Sequence, residues 1–192
     1  MESILLIGGG GHCKSVIDVI EQEGRFNIVG IVDQPELMGT RVLDYTVIAN
    51  DEDLPRLIQQ YKYACITVGQ IKTPYLRIEL FNILKKIGFI LPSLVSPRAY
   101  MSKNASIGDG SVVMHDALIN AGARIGRNCI INTKALIEHD SIVADNCHVS
   151  TGAIINGGVS VGGGSFIGSH AITKQGISIE ANSFIKAGSL VK

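Results

Sequence analysis

His139 stands between two carboxylates, Glu138 and Asp140. An imidazole beside a carboxylate is suited to general-base work, because the carboxylate holds the ring's orientation and tautomer and stabilises the imidazolium that forms. A histidine at a chain corner is equally a plain solvated side chain, and the residues alone leave both readings open. His148 follows nine residues later and immediately precedes Val149, which predicts an outward-facing ring. His115 and His170 read as surface or interface side chains. Zinc is the other chemistry histidines suggest, but a zinc site needs three convergent ligands with a closely spaced pair. The spacing of His139 and His148, with no third partner, argues against it, so no metal site is expected. No Ser or Cys sits beside His139 in a nucleophile arrangement, so the chemistry it suggests needs no acyl-enzyme.

The element that must position His139 is written in the spacing around it. From Met101 to Val191 every sixth residue is aliphatic except Thr173, and the residue two before each is small except at Val159 and Ile177. Neither a 3.6 nor a 2.0 period generates a strict six. The pattern is that of a parallel β-helix built from hexapeptide repeats, each a short strand plus a corner. The column of large aliphatics fills a narrow interior, and the small column, which includes Cys129 and Cys147, leaves room for it. Gly, Asn and Asp recur where the backbone must turn, as at Gly108-Asp109-Gly110 and Asp145-Asn146. The phase never slips, so no long loop separates the coils.

The residues before this array follow another rule. Ile4–Ile7 and Ile28–Val32 read as buried strands and Val47-Ile48 and Cys65–Val68 as two more, with a helical pattern after His12 that puts Val16, Ile17, Val19 and Ile20 on its apolar side and helical stretches at about 51–60 and 74–87. Such alternation predicts an α/β domain with a short parallel sheet. Pro92 and Pro97 frame the change of period, giving a Rossmann-like domain over 1–92 and the β-helix over 93–192. Glycines 8–11, between the first strand and its helix, allow backbone N–H groups to approach an anion. Asp33, ending the second strand, lies where an acidic residue commonly meets a ribose. Against GxGxxG, Gly8 and Gly10 fit but Cys13 replaces the third glycine, and the domain is short for a dinucleotide. Hydride transfer is therefore disfavoured; a nucleotide-linked ligand is favoured, and a tight turn that merely needs glycine remains open.

The 192 residues carry 17 basic and 17 acidic side chains. With no basic cluster beyond Lys85-Lys86, phosphate neutralisation along a nucleic acid is excluded. The first strand has no basic segment before it and no run reaches membrane-spanning length, so neither a signal peptide nor membrane insertion is expected. Four cysteines without a CxxC pair fit reduced thiols in the cytoplasm.

The chain resembles the bacterial sugar acyltransferases related to sialic-acid O-acetyltransferases and to the N-acetyltransferases of UDP-4-amino-4,6-dideoxy sugars. Three segments carry the resemblance: Gly8-Gly9-Gly10-Gly11-His12, the stretch Asn132–Asp140, and Asn146–Ala153. It implies a left-handed β-helix, a homotrimer with active sites between neighbouring subunits, and acetyl-CoA as donor. It assigns His139 as the base and Asp140 as the residue raising its basicity, where the family often has Glu. His148 matches a residue contacting acetyl-CoA, and Gly157 a glycine whose N–H faces the developing oxyanion. Ser169 and Ala187 match the pantetheine channel. Gly10, Gly11, His12, Asp33, Gln34 and Gly69 match a nucleotide-sugar pocket. Family members commonly continue into a Gly-Asn-Pro-Ala-Lys-like tail near the coenzyme, whereas this sequence stops at Val191-Lys192.

The implied activity is acetyl transfer to the 4-amine of a nucleotide-linked 4-amino-4,6-dideoxy sugar by direct attack on the thioester. A sialic-acid-type O-acetyltransferase is the near alternative. A non-catalytic, trimeric nucleotide-sugar-binding subunit that regulates a partner enzyme is the alternative of another class, and a zinc hydratase is a third.

Overall fold

The computed structural model describes residues 1–192. The chain divides into two compact units, one of Met1–Gly69 with Leu76–Pro92 and one of Gln70–Tyr75 with Ser93–Lys192. The segment Gln70–Tyr75 thus packs with the second unit although it lies inside the 1–92 span drawn from the sequence.

The first unit holds strands β1 (Glu2–Ile7), β2 (Phe26–Val32), β3 (Arg41–Val42), β4 (Tyr45–Ala49) and β5 (Tyr63–Ile66). They form one sheet in the order β3-β4-β2-β1-β5, parallel except for the β3–β4 pair. Ile4, Leu5, Leu6 and Ile7 are all buried, as a central strand covered on both faces requires. Helix α1 (Gly11–Glu23) presents Cys13, Val16, Ile17, Val19 and Ile20 to the core and ends at Gly24. There φ is 69°, and the Gly24 N–H donates to the Ile20 carbonyl, closing the last turn. Helix α2 (Leu54–Leu57) precedes β5, and helix α3 (Tyr75–Ile87) buries Leu80, Phe81 and Leu84. Arg77 on that helix is buried. Its guanidinium donates to the carbonyls of Ile66 and Val68 at 3.1 and 2.6 Å, fixing the chain as it leaves β5.

The second unit is a left-handed parallel β-helix. Its strands are two residues long and stack into three sheets of six, five and six strands. Residues pair with those eighteen positions on, as Leu118 with Leu136 and Ile119 with Ile137, so three hexapeptides make one coil. The first face carries the strands beginning at Leu94, Val112, Ile130, His148, Phe166 and Phe184. The second carries those beginning at Tyr100, Leu118, Leu136, Ile154, Ile172 and Leu190, and the third Ser106, Arg124, Ile142, Ser160 and Ser178. In each strand the second residue points inward. Val113, Ile119, Ile131, Ile137, Val149 and Ile155 are fully enclosed, each contributing about 1.5–3 kcal/mol of transfer free energy.

A further column runs through the corners. Every sixth residue from Gly110 to Gly188 has φ between 55° and 75°. Glycine, Asn and Asp occupy most of these places, but Lys134 and His170 adopt the same left-handed conformation, which the stack imposes on them. Thr173, the exception in the aliphatic column, is as buried as its neighbours, and its hydroxyl accepts the backbone N–H of Asn156 at 2.9 Å.

Candidate active site

His139 and Asp140 occupy one corner between the second and third faces, after the strand Leu136–Ile137. Asp140 is a member of the left-handed column, with φ 60°. That conformation turns its carboxylate back toward its neighbour, and the His139 Nδ1–H donates to Asp140 Oδ2 at 2.9 Å. The hydrogen bond to Asp140 holds the His139 pKa above its ordinary value. With Nδ1 engaged, Nε2 carries the lone pair. Behind the ring, the His139 backbone N–H donates to Glu138 Oε2, which also accepts from the Asn120 side-chain amide at 2.8 Å.

Gly157 occupies the same corner one coil on. A Cβ built on it would lie 2.6 Å from His139 Nε2 and 2.8 Å from Cε1, so the imidazole rests where only glycine leaves room. His139, Asp140 and Gly157 are therefore brought together.

His148, Ser169 and Ala187 lie elsewhere on the coil. The sequence predicted an outward ring for His148, and the ring does leave the coil, yet the residue is only 7% exposed. Gln70–Tyr75 lies across it. The His148 Nδ1–H donates to the Gln70 carbonyl, while the Gln70 side-chain amide donates to the Asn146 carbonyl at 3.0 Å. Asn132 Nδ2 donates to His148 Nε2 at 3.1 Å, and its own Oδ1 accepts from the Thr133 N–H, which fixes the amide's orientation. The neutral Nδ1–H tautomer satisfies every one of these bonds. Phe166 meets the ring edge-on and stacks in turn on Phe184. The same segment and this aromatic pair enclose a cavity of about 160 Å³. At the next corner Ser169 shares a hydrogen bond with Ser150 at 3.0 Å. A Cβ on Gly168 would meet the Ala187 backbone nitrogen at 2.4 Å, so coils here are in closest approach. Ser169 and Ala187 share one corner column and His139 and Gly157 another; the single chain does not join the two groups.

In the first unit, Gly10, Asp33, Gln34 and Gly69 line a cavity of about 370 Å³ together with Gly8, Gly9 and Leu37. Gly11 opens α1, and His12 lies on it with its Cβ beside Gly69. Asp33 organises the loop: Oδ2 accepts from the Gly9 N–H at 2.5 Å and Oδ1 from the Gln34 N–H at 2.8 Å. Two features here escaped the sequence reading, Asp51 itself and the reason the glycine run needs Gly9. Gly9 is needed because a Cβ would stand 3.0 Å from Asp33 Oδ2 and 3.1 Å from Val42. Asp51 lines an adjoining cavity with Asp33 and Gln34. Burial, then the charges of Asp33 and Glu79, push its carboxyl pKa upward. An acidic residue two places past the end of β4, beside Asp33 one place past the end of β2, was the available signal.

All four thiols are free and buried. Cys129 and Cys147 face the coil interior and donate to the carbonyls of Ala144 and Gly162 at 3.1 and 3.2 Å. Burial raises the Cys13 thiol to about 11 and the Cys65 thiol to about 12, while Cys129 beside it and burial push Cys147 up as well.

The family model for the PglD N-terminal domain matches residues 3–84. Among solved structures, a histidine-to-asparagine variant of perosamine N-acetyltransferase from Caulobacter crescentus, in complex with CoA and GDP-perosamine, superposes with a TM-score of 0.93. It is 34% identical, and the match covers 100% of this chain and 89% of that one. The acetyltransferase domain of PglB from Neisseria gonorrhoeae, in complex with acetyl coenzyme A, is 29% identical with a TM-score of 0.91, covering 99% and 92% of the two chains. WeeI from Acinetobacter baumannii, at 20% identity and a TM-score of 0.78 over 100% and 97% of the chains, shares the fold. No curated protein sequence matches the chain. No helix is long and apolar enough to cross a membrane. With one third of its residues identical over its whole length to a sugar N-acetyltransferase, the chain belongs to the bacterial sugar acyltransferase family.

Proposed function

We propose that this chain is an acetyl-CoA-dependent N-acetyltransferase acting on the 4-amine of a nucleotide-linked 4-amino-4,6-dideoxy sugar. The observation that carries the reading is the likeness, over the whole of this chain, to an enzyme held with CoA and GDP-perosamine, which supports N-acetylation of a nucleotide-linked 4-amino sugar. On this reading the amine nitrogen attacks the thioester carbonyl carbon, the C–S bond breaks, and CoA leaves. His139 Nε2 takes the proton from the amine and passes it to the departing sulfur. Asp140 holds the ring by its Nδ1–H and favours the imidazolium. The Gly157 N–H meets the oxygen that gains charge in the tetrahedral intermediate. His148, Ser169 and Ala187 contact the coenzyme, and Gly10, Gly11, His12, Asp33, Gln34 and Gly69 receive the nucleotide sugar.

The proposed catalytic and coenzyme columns occupy different corners of one chain, which supports assembly of each active site from two subunits. A surface for that assembly is present: Tyr100, Leu118, Leu136, Ile154, Ile172 and Leu190 form an unbroken apolar column on the outer side of the second face. Tyr100 and Leu190 are 60% and 62% exposed. We assign this face to a homotrimer, acting in the cytoplasm where acetyl-CoA is available.

The test is thiol release from acetyl-CoA against GDP-, UDP- and dTDP-linked 4-amino sugars beside free sialic acids. Turnover with one amino sugar is the expected result and names the nucleotide. Turnover with sialic acids alone overturns N-acetylation.

A further inference from the structure

The corner that holds His139 repeats every eighteen residues, and the turns opened by Asn120 and Glu138 share a hydrogen-bond pattern from which the turn opened by Asn156 departs. At both of these turns the backbone N–H of the residue opening the corner donates across to the next coil, Asn120 to the Ile137 carbonyl and Glu138 to the Ile155 carbonyl, each at 2.9 Å, as Ser102 and Lys174 also do in the same column. The side chain of that same residue then caps its successor. Ala121 N–H donates to Asn120 Oδ1 at 2.7 Å, and His139 N–H to Glu138 Oε2 at 3.1 Å.

At the turn opened by Asn156 the pattern changes. The Asn156 N–H donates to the Thr173 hydroxyl oxygen rather than to the Thr173 carbonyl. That carbonyl is instead taken by the Asn156 side-chain amide at 2.6 Å. The side chain that would cap the next residue is thereby held the other way, and the Gly157 N–H has no acceptor in the chain. A backbone donor without a partner is costly unless a ligand uses it. The cause is the one polar residue in the sixteen-membered aliphatic column. Its hydroxyl is enclosed in an apolar interior, where Val or Ile would satisfy packing better.

We propose that Thr173 is a positioning residue: by diverting Asn156, it keeps the Gly157 N–H open to receive the oxyanion. This rests on the role given to Gly157 under the proposed function. With an aliphatic side chain at 173, the Asn156 N–H returns to the residue-173 carbonyl, and its amide oxygen is free to cap Gly157 as Asn120 caps Ala121. The donor is then occupied when the thioester arrives.

The experiment compares the full-length protein with Thr173→Val and Asn156→Ala/Thr173→Val. It measures kcat, both KM values, thermal midpoint, and exchange of the Gly157 amide proton in glycine-labelled protein. Thr173→Val is expected to lower kcat roughly ten- to hundredfold, since an oxyanion donor is masked. KM values stay unchanged, the midpoint does not fall, and the Gly157 amide becomes protected from exchange. The double variant, which has no amide left to cap Gly157, recovers most of the lost kcat and loses the protection. Protection without loss of kcat overturns the oxyanion role of Gly157 and leaves the hydrogen-bond exchange standing. An unprotected Gly157 amide in Thr173→Val overturns the inference itself, whatever the rate.

Discussion

The His139 imidazole rests on the backbone of Gly157, one coil away in the same corner, with no room for a methyl group between them. Base and proposed oxyanion donor are thus held in one geometry by a single stacking contact. Gly157→Ala must push the ring aside, since the hypothetical Cβ stands 2.6 Å from Nε2. The backbone φ at 157 is not in the left-handed region, so the variant folds. We expect kcat to fall by about a hundredfold, the usual consequence of displacing a catalytic group by an ångström. The KM for the nucleotide sugar stays unchanged. Steady-state kinetics with a matched circular-dichroism melt checks both halves.

Asp140 raises the His139 pKa through their hydrogen bond, and a base must be neutral to accept a proton. Activity is therefore lost as pH falls through that raised value. Asp140→Asn keeps a residue that tolerates the left-handed conformation but removes the charge. The acidic limb of the pH profile of kcat/KM is expected to move to lower pH, while the plateau drops because the imidazolium loses its partner. An unmoved limb would show that His139 is not the group titrating.

Asp33 spends both carboxylate oxygens on the backbone N–H groups of Gly9 and Gln34. Its first effect is thus on the shape of the glycine loop, before any contact with a ribose. Asp33→Ala is expected to raise the KM for the nucleotide sugar roughly tenfold or more, as two charge-assisted bonds are lost. The KM for acetyl-CoA should be unaffected, which separate titrations of the two substrates test.

None of the four buried thiols is poised to react. Cys13 and Cys65, raised to about 11 and about 12, carry almost no thiolate at neutral pH. The folded protein should resist a disulfide reagent at pH 8 and release four equivalents once denatured. Cys147→Ala should retain acetyl transfer, because its sulfur faces the coil interior and bonds to the Gly162 carbonyl. Loss of turnover with the fold intact would revive an acyl-enzyme.

The β-helix was legible because its interior admits one large side chain per strand, and that restriction repeats in the residue types themselves. The His139–Asp140 pair was legible because its partners are adjacent in sequence. What escaped depended on neighbours chosen by stacking or by packing at a distance. Gln70–Tyr75 carries no periodic signal that would announce its place against His148, so an imidazole expected at the surface is enclosed. Gly9 owes its necessity to Asp33 and Val42, both distant along the chain. Thr173 was visible as an exception in its column, but its meaning lies in which of two oxygens Asn156 bonds, seventeen residues away.

The eighteen-residue register has a bearing on how this protein can change length. His139 meets Gly157 because they are separated by one full circuit of the chain. Inserting or deleting eighteen residues before Asn120 or after Lys174 preserves the pairs between 120 and 174, since each coil contacts only its neighbours. One residue added between 139 and 157 rotates Gly157 off the corner and turns a whole strand's inner side chain outward. Indels in this half of the molecule should therefore be tolerated in whole circuits and rejected in fractions, and the distance between base and donor is set by counting residues.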